Sequence, residues 1–326
     1  MPWFKRASQT AATPSKVLNE ATYLPLATMV GYRHDAKQLA LSKQASVHSK
    51  QPSGHRTKLR GRGIDFDEVR RYQPGDDIRT MSWRIMAKTG KPYTKLFHDE
   101  RERPVIVWVD YHPSMFFATR KAFKSVVASH IAALLAWSAF HHGDRLGGLA
   151  FAHQQHWEIR PRRHQNTVLN FLSVLDEAQR SVPWQTSASA STSIDQSLIR
   201  LRRITRSGSL IFLLSDFHAR SSTTQTHLER LSRHNDLVLF HLFDPIEAAL
   251  PPPGHFRVSD GQQQILIDAH NPSNRRRYAA AHIAHTQAIK AMCWQGGMRF
   301  VPVSTTQNVM TMLQRCQACS PFINLR

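Results

Sequence analysis

The sequence predicts an α/β fold in which a mostly parallel sheet is covered by helices on both faces, and three observations carry that prediction. Near-continuous apolar runs at 105–109, 210–214 and 237–243 have the length and hydrophobicity of strands buried on both sides. Stretches of helical periodicity separate and follow them, and strands that alternate with helices build a parallel sheet. Two of the three runs end in a carboxylate, Asp110 and Asp216. Ligands of such sheets sit beyond the carboxyl ends of the strands, so the fold prediction already points at a site.

The remaining elements follow in order. Residues 1–15 are polar and aperiodic and are expected to be a disordered tail. Residues 16–47 are weakly helical and broken by Pro25 and Gly31. Residues 64–103 read as short strands and turns, with a turn at 73–77 (Gln-Pro-Gly-Asp-Asp). These two stretches are taken together as an N-terminal module, 16–103, and residues 104–326 as the sheet domain. Within the latter, helices are expected at 120–142, 163–180, 194–206, 227–234, 274–292 and 308–316. Further strands are expected at 145–151, 156–160 and 298–303. A hairpin is expected where 256–258 and 264–267 flank Asp260-Gly261.

Apolar residues make up 41% of the 326, enough for a sizeable core. The longest apolar runs are too short to cross a bilayer, and the first residues lack the apolar stretch of a secretory signal. Three cysteines give no disulfide framework. These features point to a cytoplasmic protein. A formal charge of +20 calls for an acidic partner: nucleic acid, an anionic membrane surface or an acidic protein.

Residues 61–84, Gly-Arg-Gly-Ile-Asp-Phe-Asp-Glu-Val-Arg-Arg-Tyr-Gln-Pro-Gly-Asp-Asp-Ile-Arg-Thr-Met-Ser-Trp-Arg, resemble the signature of a bacterial family known as domain of unknown function 58. Residues 109–115, 143–147 and 243–251 match it too. The resemblance implies a von Willebrand A-like domain, and its members are typically encoded beside MoxR-type AAA+ ATPases. It therefore implies an adaptor or assembly factor rather than an enzyme.

Von Willebrand A domains often carry a metal-ion-dependent adhesion site, built from D-x-S-x-S, a threonine loop and a later aspartate. By position Asp110, His112 and Ser114 match the first motif, Thr192 the second and Asp216 the third. A divalent cation such as Mg²⁺ or Mn²⁺ would take these oxygens in an octahedral array and offer one position to a partner's carboxylate. His112 stands where a serine belongs, and imidazole suits Zn²⁺ better. Either the ion differs, or His112 turns away, or no metal binds.

Arg70, Arg71, Asp76, Asp77, Arg79 and Trp83 crowd into the signature and form either an internal ion-pair network or a docking face for a partner. Basic clusters at 160–163, 200–203 and 275–277 lack helix-turn-helix or RNP-like spacing. They allow non-specific binding of nucleic acid or of an anionic membrane surface as the alternative function. No phosphate loop, G-x-S-x-G or H-E-x-x-H occurs. Cys316 and Cys319 lack the further ligands of a zinc site. The expected protein is a non-enzymatic adaptor that binds a protein partner at the carboxyl edge of its sheet.

Overall fold

The computed structural model describes residues 21–39, 65–73, 81–98, 103–152, 155–181, 194–249, 254–259 and 264–319. The chain forms two units, one of residues 1–45 and 104–326 and one of residues 46–103. The larger unit opens with helix α1 (Leu26–Gly31) and a 3-10 turn (Asp35–Gln38). The smaller unit contains strand β1 (Asp65–Arg71), helix α2 (Trp83–Thr89) and strand β2 (Tyr93–His98). Its strands pair antiparallel, Arg71 opposite Tyr93, with a bulge between Phe66 and Glu68. Gly90 ends α2 in the left-handed region at φ 66°, where a side chain would be strained.

The larger unit continues with β3 (Pro104–Tyr111), α3 (Lys124–His141), β4 (Arg145–Ala152), β5 (His156–Arg162), α4 (Gln165–Arg180) and α5 (Ile194–Ile204). Then come β6 (Leu210–Ser215), α6 (Thr224–Ser232), β7 (Asp236–Phe243), α7 (Pro245–Ala248), the hairpin β8 (His255–Ser259) and β9 (Gln264–Asp268), α8 (Pro272–Gln295), β10 (Arg299–Ser304) and α9 (Val309–Cys319). Six strands form one sheet in the order β10-β7-β6-β3-β4-β5. All neighbours are parallel except β5, which runs antiparallel at one edge. This doubly wound order with an antiparallel edge strand is the expected von Willebrand A fold.

Strand alternation sorts the core into two layers. Val105, Val107 and Val109 face α3, α4 and α9, while Ile106 and Trp108 face α5, α6 and α8. Helix α3 is buried almost all round, which explains why its sequence is apolar rather than amphipathic. Trp108 Nε1 donates to Ser197 Oγ at 3.2 Å, satisfying its one polar atom in the second layer.

The expected N-terminal module of 16–103 is not one piece. Residues 21–39 belong to the sheet unit, because their backbone polar groups are satisfied there. Leu24 N donates to Gln179 Oε1 at 3.0 Å, Trp137 Nε1 to Met29 O at 3.0 Å and Ser138 Oγ to Leu39 O at 2.8 Å. Met29, Ala36 and Leu39 are fully buried in the first layer. The tail of residues 1–15 lies outside the described residues.

A Cβ at Gly148 would meet the Phe171 ring at 2.3 Å, so α4 packs directly on bare β4 backbone. Gly148→Ala is therefore expected to lose about 1–3 kcal/mol of unfolding free energy in urea titration. Gly31→Ala, where a Cβ meets nothing within 4 Å, is the control that should lose none.

Candidate functional site

Winding reverses between β3 and β6, so the loops after these two neighbours part to opposite faces and open the carboxyl edge there. A lysine, not a solvent-filled crevice, occupies the centre of that edge. Lys124, the first residue of α3, is fully buried, and its ammonium donates to Asp216 Oδ2 at 2.8 Å and to Glu247 Oε1 at 2.7 Å. Burial alone would lower the Lys124 pKa, but the two carboxylates outweigh it and raise it above the usual lysine value. Burial likewise pushes the Asp216 carboxyl up, and Lys124 and His218 more than offset it, holding the carboxyl well below the usual range.

The second carboxylate is fixed by a capping box at α7. Asp244, the N-cap, accepts from Ile246 N, and Glu247 Oε2 accepts from Asp244 N at 2.8 Å. Asp244 also accepts from Thr119 Oγ1 at 2.5 Å and Thr305 Oγ1 at 2.7 Å. Those donors and the burial they oppose leave its pKa lowered. The segments that follow β3, β6, β7 and β10 are thus joined in one network.

Asp110 belongs to a separate arrangement. It is buried and accepts from His112 N at 2.8 Å, His112 Nδ1 at 2.7 Å and Ser215 Oγ at 2.5 Å. Ser215 Oγ in turn accepts from Phe217 N at 2.8 Å. Phe217 has φ 55°, a left-handed backbone that a bulky residue rarely adopts, and its ring stacks on Trp108 at 6.0 Å. This turn carries the chain from Ser215, bonded to Asp110, to Asp216, bonded to Lys124. Strain of about 1–3 kcal/mol is usual for such a residue and marks a position the surroundings over-determine.

The described donors do not fit a divalent cation. Both aspartates are committed to protein donors, and one of those donors is itself a cation. His112, in the serine's place, turns its ring back onto Asp110. Ser114 lies half-buried in the turn Pro113–Met115. Thr192 lies outside the described residues. Among the described residues no group of three or more His, Cys, Asp or Glu side chains is placed to hold a metal ion.

Histidines wall the network on the α8 side. His218 donates its backbone N to Asp216 Oδ1 at 3.1 Å, and its ring lies 4.5 Å from that of His285, whose Nε2 meets the Asp216 carbonyl at 3.0 Å. The His218 pKa is raised by its bond to Asp216, whereas burial lowers that of His285. His241 is buried on β7 with no hydrogen-bond partner for either ring nitrogen among the described residues, and burial pulls its pKa down to about 3. It is therefore a neutral packing ring at pH 7.

Of the signature residues expected to meet a partner, Arg70 and Arg71 lie on β1, and Trp83, 62% exposed, opens α2. Asp76, Asp77 and Arg79 lie outside the described residues. Sequence reasoning missed Lys124, Glu247 and Asp244. Two signals were there: a lysine directly ahead of the mostly apolar run 126–139, and the D-P-x-E spacing of a capping box at 244–247.

Removing the ammonium would leave two carboxylates uncompensated. Lys124→Met is expected to cost about 3–5 kcal/mol in chemical denaturation, part of it recovered when Asp216→Asn is added. Because the folded Asp216 pKa is depressed, its contribution is present above the unfolded carboxylate value, about pH 4, and is lost as pH falls below it. Asp216→Asn should flatten that acid limb of the stability profile.

The chain is similar to known proteins in sequence and in fold. The family model described as "Protein of unknown function DUF58" matches residues 68–288. Uncharacterized proteins of Mycobacterium tuberculosis and Mycobacterium bovis are 26% identical over 235 residues, 71% of this chain and 71% of theirs. Among solved structures, BatB from Bacteroides thetaiotaomicron is 12% identical with a TM-score of 0.38, over 67% of this chain and all of that one. An aerotolerance-related membrane protein from Bacteroides fragilis is 14% identical with a TM-score of 0.42, over 66% and 97%. The family match spans well over half of the residues: the chain belongs to the DUF58 family.

Proposed function

We propose that this chain is a cytoplasmic, non-enzymatic adaptor that works with a MoxR-type AAA+ ATPase and presents the carboxyl edge of its sheet to a protein partner. The observation that carries the proposal is the Lys124 ammonium held between Asp216 and Glu247. It cross-links the loops after β3, β6 and β7 into a pre-ordered surface, and a surface ordered in advance loses less entropy on binding. The family's association with MoxR-type ATPases supports the choice of partner. No described helix is long and apolar enough to cross a membrane.

In this reading the edge works without a divalent ion, since a tethered cation takes the place of one. Calorimetric titration with Mg²⁺ or Mn²⁺ is expected to show no saturable heat. A saturable heat that Asp110→Ala abolishes would mean that Ser114 and Thr192 complete a site. A Zn²⁺ titration tests whether His112 can swing from Asp110 to an ion.

The partner reading is tested with the MoxR-type ATPase of the same genome. The wild-type chain is expected to bind it and change its ATP turnover. Ala219→Trp, a steric block on the exposed loop after β6, should weaken binding at least tenfold without lowering the melting temperature. An ATPase that is neither bound nor altered would refute the reading. The charge of +20 favours one competitor, non-specific binding to nucleic acid, which would show itself as affinity falling steeply with salt.

A further inference from the structure

Helix α8 is the longest in the described chain, yet of its 24 residues only Ile289, Met292 and Cys293 are buried. The opposite side carries Arg276, Ala280, Ile283, Gln287, Lys290 and Trp294, every one exposed. Their alternating spacing of four and three keeps them on one stripe, and a span of 18 residues makes it about 27 Å long. Trp294 is 86% exposed and Ile283 52%, and their separation of eleven positions returns to the same side of the helix. Single apolar residues at a surface need no explanation. Two large ones aligned along a helix, with Ala280 between charged ends, have the spacing of a helix-docking seam.

Charge selects the occupant. Helix α8 contains Arg275, Arg276, Arg277 and Lys290 and no aspartate or glutamate. A solvated helix of this length ordinarily offsets its cations with carboxylates four residues away. Here three arginines stand near the amino terminus, the end at which the helix dipole disfavours cations. A second copy of the chain would set these cations against their own kind on a molecule already at +20. An anionic bilayer would meet only two large exposed apolar side chains in six turns, too few to seat a helix at its surface. The exposed alanines 280, 281, 284 and 291 leave room for another helix to approach closely.

We infer that the exposed stripe of α8 is a docking surface for an amphipathic helix of a protein partner, with an apolar strip for Ile283 and Trp294 and carboxylates for Arg276 and Lys290. The inference rests on the adaptor reading and adds a second contact surface to the carboxyl edge.

The test measures affinity for the same MoxR-type ATPase in wild type, Trp294→Asp, and the double variant Arg276→Glu/Lys290→Glu. Each variant is expected to raise the dissociation constant at least tenfold, with the double variant also flattening its dependence on salt. Melting temperature should hold, because all three side chains are exposed, and Ile283→Asp serves as a substitute should one variant fail to fold. An ATPase that binds wild type and Trp294→Asp equally overturns the stripe and leaves the adaptor reading standing. No binding by wild type overturns both. Phosphatidylglycerol vesicles that bind wild type but not Trp294→Asp, with ATPase affinity unchanged, would assign the stripe to a membrane. A dimer in sedimentation equilibrium that Trp294→Asp dissolves would assign it to a second copy. Either result overturns the inference.

Discussion

A single buried ammonium sets the geometry of the carboxyl edge. An ion withdrawn from water costs several kcal/mol unless its partners are close and themselves held. Lys124 meets that condition twice, at Asp216 and at Glu247, and each partner is fixed by further bonds. Glu247 is anchored by the capping box of α7, so the loop after β7 cannot move without exposing Lys124. Asp216 reaches Lys124 through a turn in which Phe217 takes a left-handed backbone, and the Trp108 stack and the Ser215 bond hold that conformation. Core packing in the second layer and ion pairing at the edge are therefore mutually dependent.

A tethered ammonium differs from a bound divalent ion in what it offers a partner. The ion brings two positive charges and an exchangeable coordination position, which a carboxylate of the partner can take. Lys124 brings one charge, spends donors on two carboxylates and is closed to solvent. In the proposed reading, recognition at this edge falls to side chains that flank the network, such as His218, half exposed beside Asp216, and the half-buried Ser114. An edge so built would keep its shape at any concentration of metal ion, at the expense of a handle for carboxylates.

The sheet was legible because buried parallel strands leave unbroken apolar runs, and β3, β6 and β7 sit where those runs predict. The hairpin β8–β9 and the long helix α8 were legible from turn residues and periodicity. The N-terminal boundary was not, because Met29 and Leu39 are buried by contact with α3 and α4, far along the chain, and short helices such as α1 carry little periodicity. At the site, Asp110 and Asp216 were found from strand ends, but motif spacing cannot tell a metal ligand from a salt-bridged carboxylate. That difference lies in Lys124, 92 residues from Asp216 in sequence. His112 illustrates the same limit, since only its ring orientation shows that it serves Asp110.

The excess positive charge lies apart from this network. Its central cation is outnumbered by the two carboxylates it bonds, so the network supplies none of the surplus positive charge. Cations gather on surfaces such as α8, whose own sequence carries no acidic residue. The proposed function thus assigns long-range attraction and short-range fit to different parts of the molecule. Steering by surface charge raises the rate of encounter, whereas a pre-ordered edge reduces the entropy lost once contact is made. In the proposed adaptor, a change of partner at the edge would leave the surface that first attracts it unaltered.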